Sequence, residues 1–174
     1  RIIIWLYYFF CVKYTKEVIF LYGFFKGELD NKQSDKIILD VNSIGYEIYM
    51  PESEIISLNI GDKLKVYTYL HVREDDMRLF GFLGSEELEF FKKLISVSGV
   101  GPKVALGIIS NISTSDMCIA IATEDVSSLK QIPGIGPKMA QKIIFELKDK
   151  IVTEELNDVK EKFVKNRINN KNFE

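Results

Sequence analysis

Residues 94–110 read LISVSGVGPKVALGIIS, and residues 129–145 read LKQIPGIGPKMAQKIIF. Set 35 residues apart, from Gly99 to Gly134, the two stretches agree at eight of 17 positions: the leading Leu, both Gly, the Pro, the Lys, one Ala and two Ile. Such self-similarity marks one supersecondary unit used twice. Each copy reads as helix, Gly-x-Gly turn, helix. Glycines at 99, 101, 134 and 136 admit positive φ and let a backbone or ligand come close, while Pro102 and Pro137 suit the first turn of the following helix, where no N–H partner is needed. The other first-turn N–H groups point outward along a favourable dipole, which is an anion site. Lys103 and Lys138 stand one residue into each helix as point charges. Two such turns in one packed unit suit two phosphates of a nucleic-acid backbone, gripped without reading a base. A single Gly-x-Gly between helices is a plain tight turn, and it is the duplication with Pro-Lys kept in both copies that favours binding. Neither G-x-G-x-x-G nor G-x-x-x-x-G-K-[ST] occurs, because Val104 and Met139 stand where the third glycine belongs, so no ATPase site is expected.

The rest of the composition limits what surrounds this repeat. The chain has 174 residues, 47% hydrophobic and 28% charged, enough for one modest core or two small ones. With 23 Lys+Arg against 25 Asp+Glu, the formal net charge of -2 excludes a polybasic protein and a charged disordered one alike. That mean conceals an asymmetry: residues 21–90 carry 7 positive and 14 negative groups, whereas residues 91–150 carry 8 positive and 5 negative. A polyanion should therefore meet the second segment. Cys11 and Cys118 show no pairing pattern or C-x-x-C spacing, which argues against a disulfide framework or a zinc site and fits a reducing cytoplasm. His71 is the one histidine, so a mechanism that needs a His dyad or a His-rich metal site is not expected.

Residues 2–12 (IIIWLYYFFCV) form an apolar run too short to span a bilayer, which takes roughly 20 residues, and no small-residue cleavage site follows it. Residues 1–20 are expected to be an extension outside the fold, with an edge strand or membrane-touching segment as the alternative. From residue 21 the pattern turns to period two in short pieces: 22–29, 36–41, 45–50, 63–72 and 77–83, separated by Asp30-Asn31-Lys32, Asn42-Ser43 and Pro51. Five strands in so short a stretch suit a small closed barrel of the OB type, with an open five-stranded sheet as the alternative. At Ser85, followed by Glu86 and Glu87, the period becomes helical, and Thr123 before Glu124 and Asp125 reads as a further N-cap. The expected fold class is thus α+β in two domains: a five-stranded barrel over 21–84, an all-α tandem helix-hairpin-helix domain over 85–150, and a helical or disordered tail over 151–174.

The motifs VNSIGYEIYMP (41–51), HVREDDMRLFGF (71–82), LISVSGVGPKVAL (94–106) and IPGIGPKMAQKIIFELKDK (132–150) follow one another in a fixed order. Over residues 21–150 the sequence resembles the RuvA family, the DNA-binding subunits of bacterial Holliday-junction branch-migration complexes. The resemblance implies an OB-fold followed by tandem helix-hairpin-helix motifs, a homotetramer presenting a basic face to four-way junction DNA, and a role in recombination, repair and the SOS response to DNA damage. It implies an ATPase motor of the RuvB type as partner, which would use ATP and Mg²⁺ while this chain carries no cofactor, and a resolvase of the RuvC type as a further partner. DNA contact would fall to Gly99, Val100, Gly101 and Lys103 in the first hairpin and to Gly134, Ile135, Gly136, Lys138 and Lys142 in the second. The family usually continues into a third, motor-binding domain. Here Val152, Leu156, Val159 and Phe163 keep helical spacing and the chain then ends in an Asn- and Lys-rich stretch, so a truncated copy or a fragment is expected.

Arg73-Glu74-Asp75-Asp76 lies between the fourth and fifth strands. As residues alone, an acidic cluster at a hairpin tip reads as a solvated turn, or as Mg²⁺ ligands that lack a second cluster to complete a two-metal site. By resemblance it matches the family's acidic pin, with Glu74 and Asp75 protruding at the junction centre. His71 is out of phase with the apolar face of its strand and is expected at the surface. Two rival readings remain: a helix-hairpin-helix repair enzyme, a glycosylase or nuclease, for which no catalytic constellation can be assigned, and a single-strand-binding OB protein in which Tyr67 and Tyr69 stack bases.

Overall fold

The computed structural model describes residues 22–148, so the expectations for 1–20 and 151–174 lie outside the described residues. Alternating apolar residues build five strands, β1 (Phe24–Lys32), β2 (Lys36–Val41), β3 (Ile44–Tyr49), β4 (Lys63–Val72) and β5 (Met77–Phe82). They close into a barrel in the order β1-β2-β3-β5-β4, and β4 pairs back with β1. Every pairing is antiparallel except that of β3 with β5, which sets Ile48 beside Leu79 and Tyr49 beside Phe80. This is the closed OB arrangement, not the open sheet. Phe25, Leu29, Ile37, Leu39, Ile48 and Val66 fill the interior. Gly81 allows the closure: a Cβ there would stand 2.4 Å from Ile48 Cγ2 and 2.6 Å from Val66 Cγ1, inside van der Waals contact.

Two local features depart from the sequence reading. Asp30-Asn31-Lys32 looks like a turn, yet β1 runs through it, because the register shifts between Leu29 and Asn31 and a bulge absorbs the extra residue. The chain reverses later, where Gln33 N–H donates to Lys36 O at 2.8 Å. A short helix after Pro51, α1 (Glu52–Ser57), was not expected from its six residues. It is fixed by packing: Ile55 and Leu58 join the barrel core, and Lys32 Nζ donates to Ile55 O at 3.4 Å and also to Leu58 O. The Asn42-Ser43 turn is as expected, with φ of 54° and 65° at its two residues and Ser43 N–H donating to Asp40 Oδ1 at 2.7 Å.

The helices that follow are α2 (Ser85–Ile95), α3 (Pro102–Asn111), α4 (Thr114–Ala122), α5 (Val126–Lys130) and α6 over 137–148. Thr123 is not an N-cap. It ends α4, its hydroxyl donating to Ile119 O at 2.8 Å, and Glu124 takes φ 57°, so that Asp125 becomes the cap of α5. The chain forms two compact units, one ending at Phe91 and one beginning at Lys92. The division falls within α2 and not at Gly84, because Phe91 is fully buried against Phe82 and Phe80, with ring centroids 5.0 and 5.5 Å away. In the second unit the buried residues recur with the repeat: Val97 with Ile132, Val100 with Ile135, Ala105 with Ala140, Ile108 with Ile143.

Candidate nucleic-acid interface

The repeat seen in the sequence is a repeat of hydrogen bonds. Val97 N–H donates to Leu94 O, Val100 N–H to Val97 O, and Ala105 N–H to Gly101 O; 35 residues on, Ile132 donates to Leu129 O, Ile135 to Ile132 O, and Ala140 to Gly136 O. All six lie between 3.0 and 3.2 Å. Gly99 and Gly134 both take positive φ, 96° and 84°, a region closed to β-branched residues. The sequence repeat therefore produces two hairpins of one geometry, α2–α3 and α5–α6.

At α3 the cap is Gly101, which has no side chain to satisfy the first-turn N–H groups, and Pro102 follows at the first helical position. The neighbouring helices are treated differently. Ser113 Oγ accepts from Asp116 N–H at 3.1 Å to cap α4, and Asp125 Oδ1 accepts from Ser127 and Ser128 N–H at 3.0 and 3.1 Å to cap α5. The hydrogen bonds to Ser128 hold the Asp125 carboxyl below its ordinary value, so it caps as a carboxylate at neutral pH. Of α3, α4 and α5, the helix whose N-terminus has no side-chain cap is α3, which follows a Gly-x-Gly turn, and its first-turn N–H groups suit an anion.

The assigned residues divide by exposure. Gly99, Lys103, Gly134, Gly136 and Lys138 are exposed and Gly101 is half-buried. Lys103 and Lys138 have no ion-pair partner among the described residues. Lys142 is half-buried and pairs with Glu146 at 3.8 Å, so it is a weaker candidate. Val100 and Ile135 are buried at 4% and 5% exposure, and their N–H groups are used within the turn. Each anchors its hairpin to the core, worth about 1.5–3 kcal/mol on burial, and neither presents a side chain outward. Two features that sequence reasoning missed join the hairpins. Glu146 Oε2 accepts from Ser98 N–H at 3.4 Å, and a Cβ added at Gly99 would stand 3.3 Å from Met139 Cε. Neither has a local sequence signature, since the partners are more than 35 residues apart.

In the barrel, Arg73 N–H donates to Asp76 O at 2.7 Å and closes the β4–β5 tip. Asp76 Oδ2 meets Arg78 Nε at 2.6 Å, whereas Glu74 and Asp75 are exposed without a partner among the described residues. His71 is not a free surface residue. It is half-buried, ring-stacked on Tyr69 at 6.3 Å, edge-on to Phe80 at 6.2 Å, and its Nε2 accepts from Arg73 Nε at 3.1 Å. Burial lowers its pKa, with the cations of Arg73 and Arg78 acting the same way. No group of three or more His, Cys, Asp or Glu suited to a metal occurs among the described residues. Nor is any single helix among them long and apolar enough to cross a membrane.

Known families match both halves in this order. The RuvA N terminal domain matches residues 22–81, and the SAM-like helix-hairpin-helix tandem matches residues 91–149. Among curated relatives, the Holliday junction branch migration complex subunit RuvA of Lachnospira eligens is 49% identical over 135 residues, 77% of this chain and 65% of that protein. The protein of the same name from Acetivibrio thermocellus is 48% identical over 139 residues, 79% of this chain and 69% of its own length. That from Pseudomonas fluorescens (strain SBW25) is 40% identical over 129 residues, 74% and 64%. The chain thus spans about two thirds of the length of the relatives it matches. Since the barrel, the duplicated hairpins and an identity near one half all fall on the same span, this chain belongs to the RuvA family.

Proposed function

We propose that the chain binds four-way (Holliday) junction DNA by its shape and not its sequence, as the non-catalytic DNA-binding subunit of a branch-migration helicase complex in recombination and repair. One observation carries the proposal: two hairpins with matching hydrogen bonds, each presenting an exposed lysine, Lys103 or Lys138, with no ion-pair partner among the described residues, in the first turn after a glycine turn. Such a pair binds backbone phosphates, which position a protein on DNA without specifying bases. The exposed carboxylates of Glu74 and Asp75 support the complementary part, a negative point that repels phosphates and holds strands apart.

In this reading the working form is a homotetramer in the cytoplasm. A RuvB-type ATPase supplies the motor and uses ATP and Mg²⁺, this chain needs no cofactor, and a RuvC-type resolvase shares the junction. A gel-shift comparison of a four-way junction, a plain duplex and a single strand tests the central claim. The junction should bind tightest, and equal affinity for junction and duplex would overturn it. Sedimentation should give a mass four times that of the 20.0 kDa chain.

A further inference from the structure

The barrel's segment is acidic, yet its cations are distributed unevenly. Of the seven Lys and Arg in residues 21–90, four are engaged: Lys32 by the carbonyls of α1, Lys36 by Glu47 at 2.9 Å, Arg73 by His71, and Arg78 by Asp76. The other three, Lys26, Lys63 and Lys65, all lie on the β1–β4 ladder and meet no carboxylate within ion-pair distance among the described residues. Register sets Phe24 opposite Tyr67, Lys26 opposite Lys65, and Glu28 opposite Lys63. These residues alternate with the inward-facing Phe25 and Val66, so they share the outer face.

Two lysines directly opposite on one face repel, and that rung costs the sheet stability. The adjacent aromatic rung offsets part of the cost. Lys65 Nζ lies 4.6 Å from the Phe24 ring centroid and 4.2 Å from that of Tyr67, and donates to the Tyr67 hydroxyl at 2.7 Å. Lys26 Nζ lies 5.9 Å from the Phe24 centroid. Phe24 nevertheless stays 51% exposed. A groove of about 530 Å³ runs along the same ladder past Lys26, Lys63 and Lys65, with Glu28 and Asp40 also in its wall.

We propose that this ladder is a second nucleic-acid site, separate from the hairpins, and that it takes a single strand. The Lys26/Lys65 rung receives a backbone phosphate, and the Phe24/Tyr67 rung meets an unpaired base. Charge complementarity selects an anion. The exposed ring beside it selects one with an accessible aromatic face, which a duplex hides and a single strand offers. This site goes beyond the junction reading and stands without it.

The test is fluorescence anisotropy on the full chain with a labelled oligothymidylate of about 12 nucleotides, within the span of one barrel. Lys26→Gln with Lys65→Gln should weaken single-strand binding at least about fivefold and lower the salt slope by about 0.7 for the one phosphate left unneutralised. Phe24→Ala should weaken it by a similar factor with the salt slope unchanged. Both variants should keep the wild-type affinity for a four-way junction, while Lys103→Ala with Lys138→Ala should lose junction affinity and keep the single strand. Four results would each overturn the proposal: no single-strand binding by the wild type, unaltered binding by the lysine pair variant, an equal loss of junction affinity in the ladder variants, or a changed oligomer mass in them, which would make the ladder a contact between copies.

Discussion

Asp76 is held by Arg78 at 2.6 Å while Asp75, one residue earlier, is exposed and has no partner among the described residues. One carboxylate of the β4–β5 tip thus belongs to the barrel and its neighbours belong to the solvent. Glu74→Gln with Asp75→Asn should leave the fold intact, within about 0.5 kcal/mol. The pair should bind both junction and duplex more tightly, because like charges near phosphates repel most where water is excluded. The larger relative gain should fall on duplex, so selectivity falls as affinity rises. Gel shifts on both ligands, with and without Mg²⁺, measure it. An unchanged junction-to-duplex ratio leaves the tip a plain solvated turn.

Lys103→Ala with Lys138→Ala should weaken junction binding to a similar degree on every sequence. The slope of log affinity against log salt should fall by roughly 0.9 for each phosphate that the variant no longer neutralises. Lys142→Ala should change the slope less, since Glu146 already competes for that ammonium at 3.8 Å. A salt titration of these variants on one junction decides the matter; identical slopes would remove the lysines from the interface.

Gly99→Val and Gly134→Val should both be worse than losing a lysine. Positive φ costs a β-branched residue roughly 1–2 kcal/mol at each position. The two should not be equal, because the added Cβ at Gly99 meets Met139 Cε at 3.3 Å, whereas at Gly134 nothing lies within 4 Å. Chemical denaturation should rank Gly99→Val as the less stable variant. The reverse order would mean that the Met139 side chain moves aside at no cost.

The barrel carries a pH dependence through Glu54. Burial raises its carboxyl from 4.5 to about 7, the Glu87 carboxylate adds to the rise, and the Leu83 N–H that it accepts at 2.8 Å opposes it. The folded protein therefore keeps a proton that the unfolded chain has released. The associated stability is fully present below pH 4.5 and declines as the pH rises to about 7. Glu54→Gln should remove that decline, with a melting temperature at pH 8 above the wild type by about a few degrees and a smaller gap at pH 5. A gap of the same size at both pH values would show that the carboxyl is not protonated in the fold.

The duplicated hairpins were legible because their signal is local: glycine, proline and lysine at fixed offsets are required by the turn itself. The strands were legible for the same reason, since alternation records which face is buried. What was missed depends on distant partners. The bulge after Leu29 places turn-type residues inside a strand because β2 accommodates them. The helix after Pro51 is too short to announce itself and is held by Ile55 and Leu58 in the barrel core. Val100 and Ile135 sit between the glycines in sequence, where they look like part of a binding loop, and only the packing shows that they face inward. The lysine rung on β1 and β4 was invisible because Lys26 and Lys65 become neighbours through register alone.

The bond from Ser98 N–H to Glu146 has a mechanical meaning. It ties the turn of one hairpin to the closing helix of the other, so the two lysine-bearing turns are linked parts of one unit and not two independent fingers. In the proposed DNA-bound form, linked turns favour one phosphate spacing, and duplex RNA, with its A-form helix and wide, shallow minor groove, should bind more weakly than DNA.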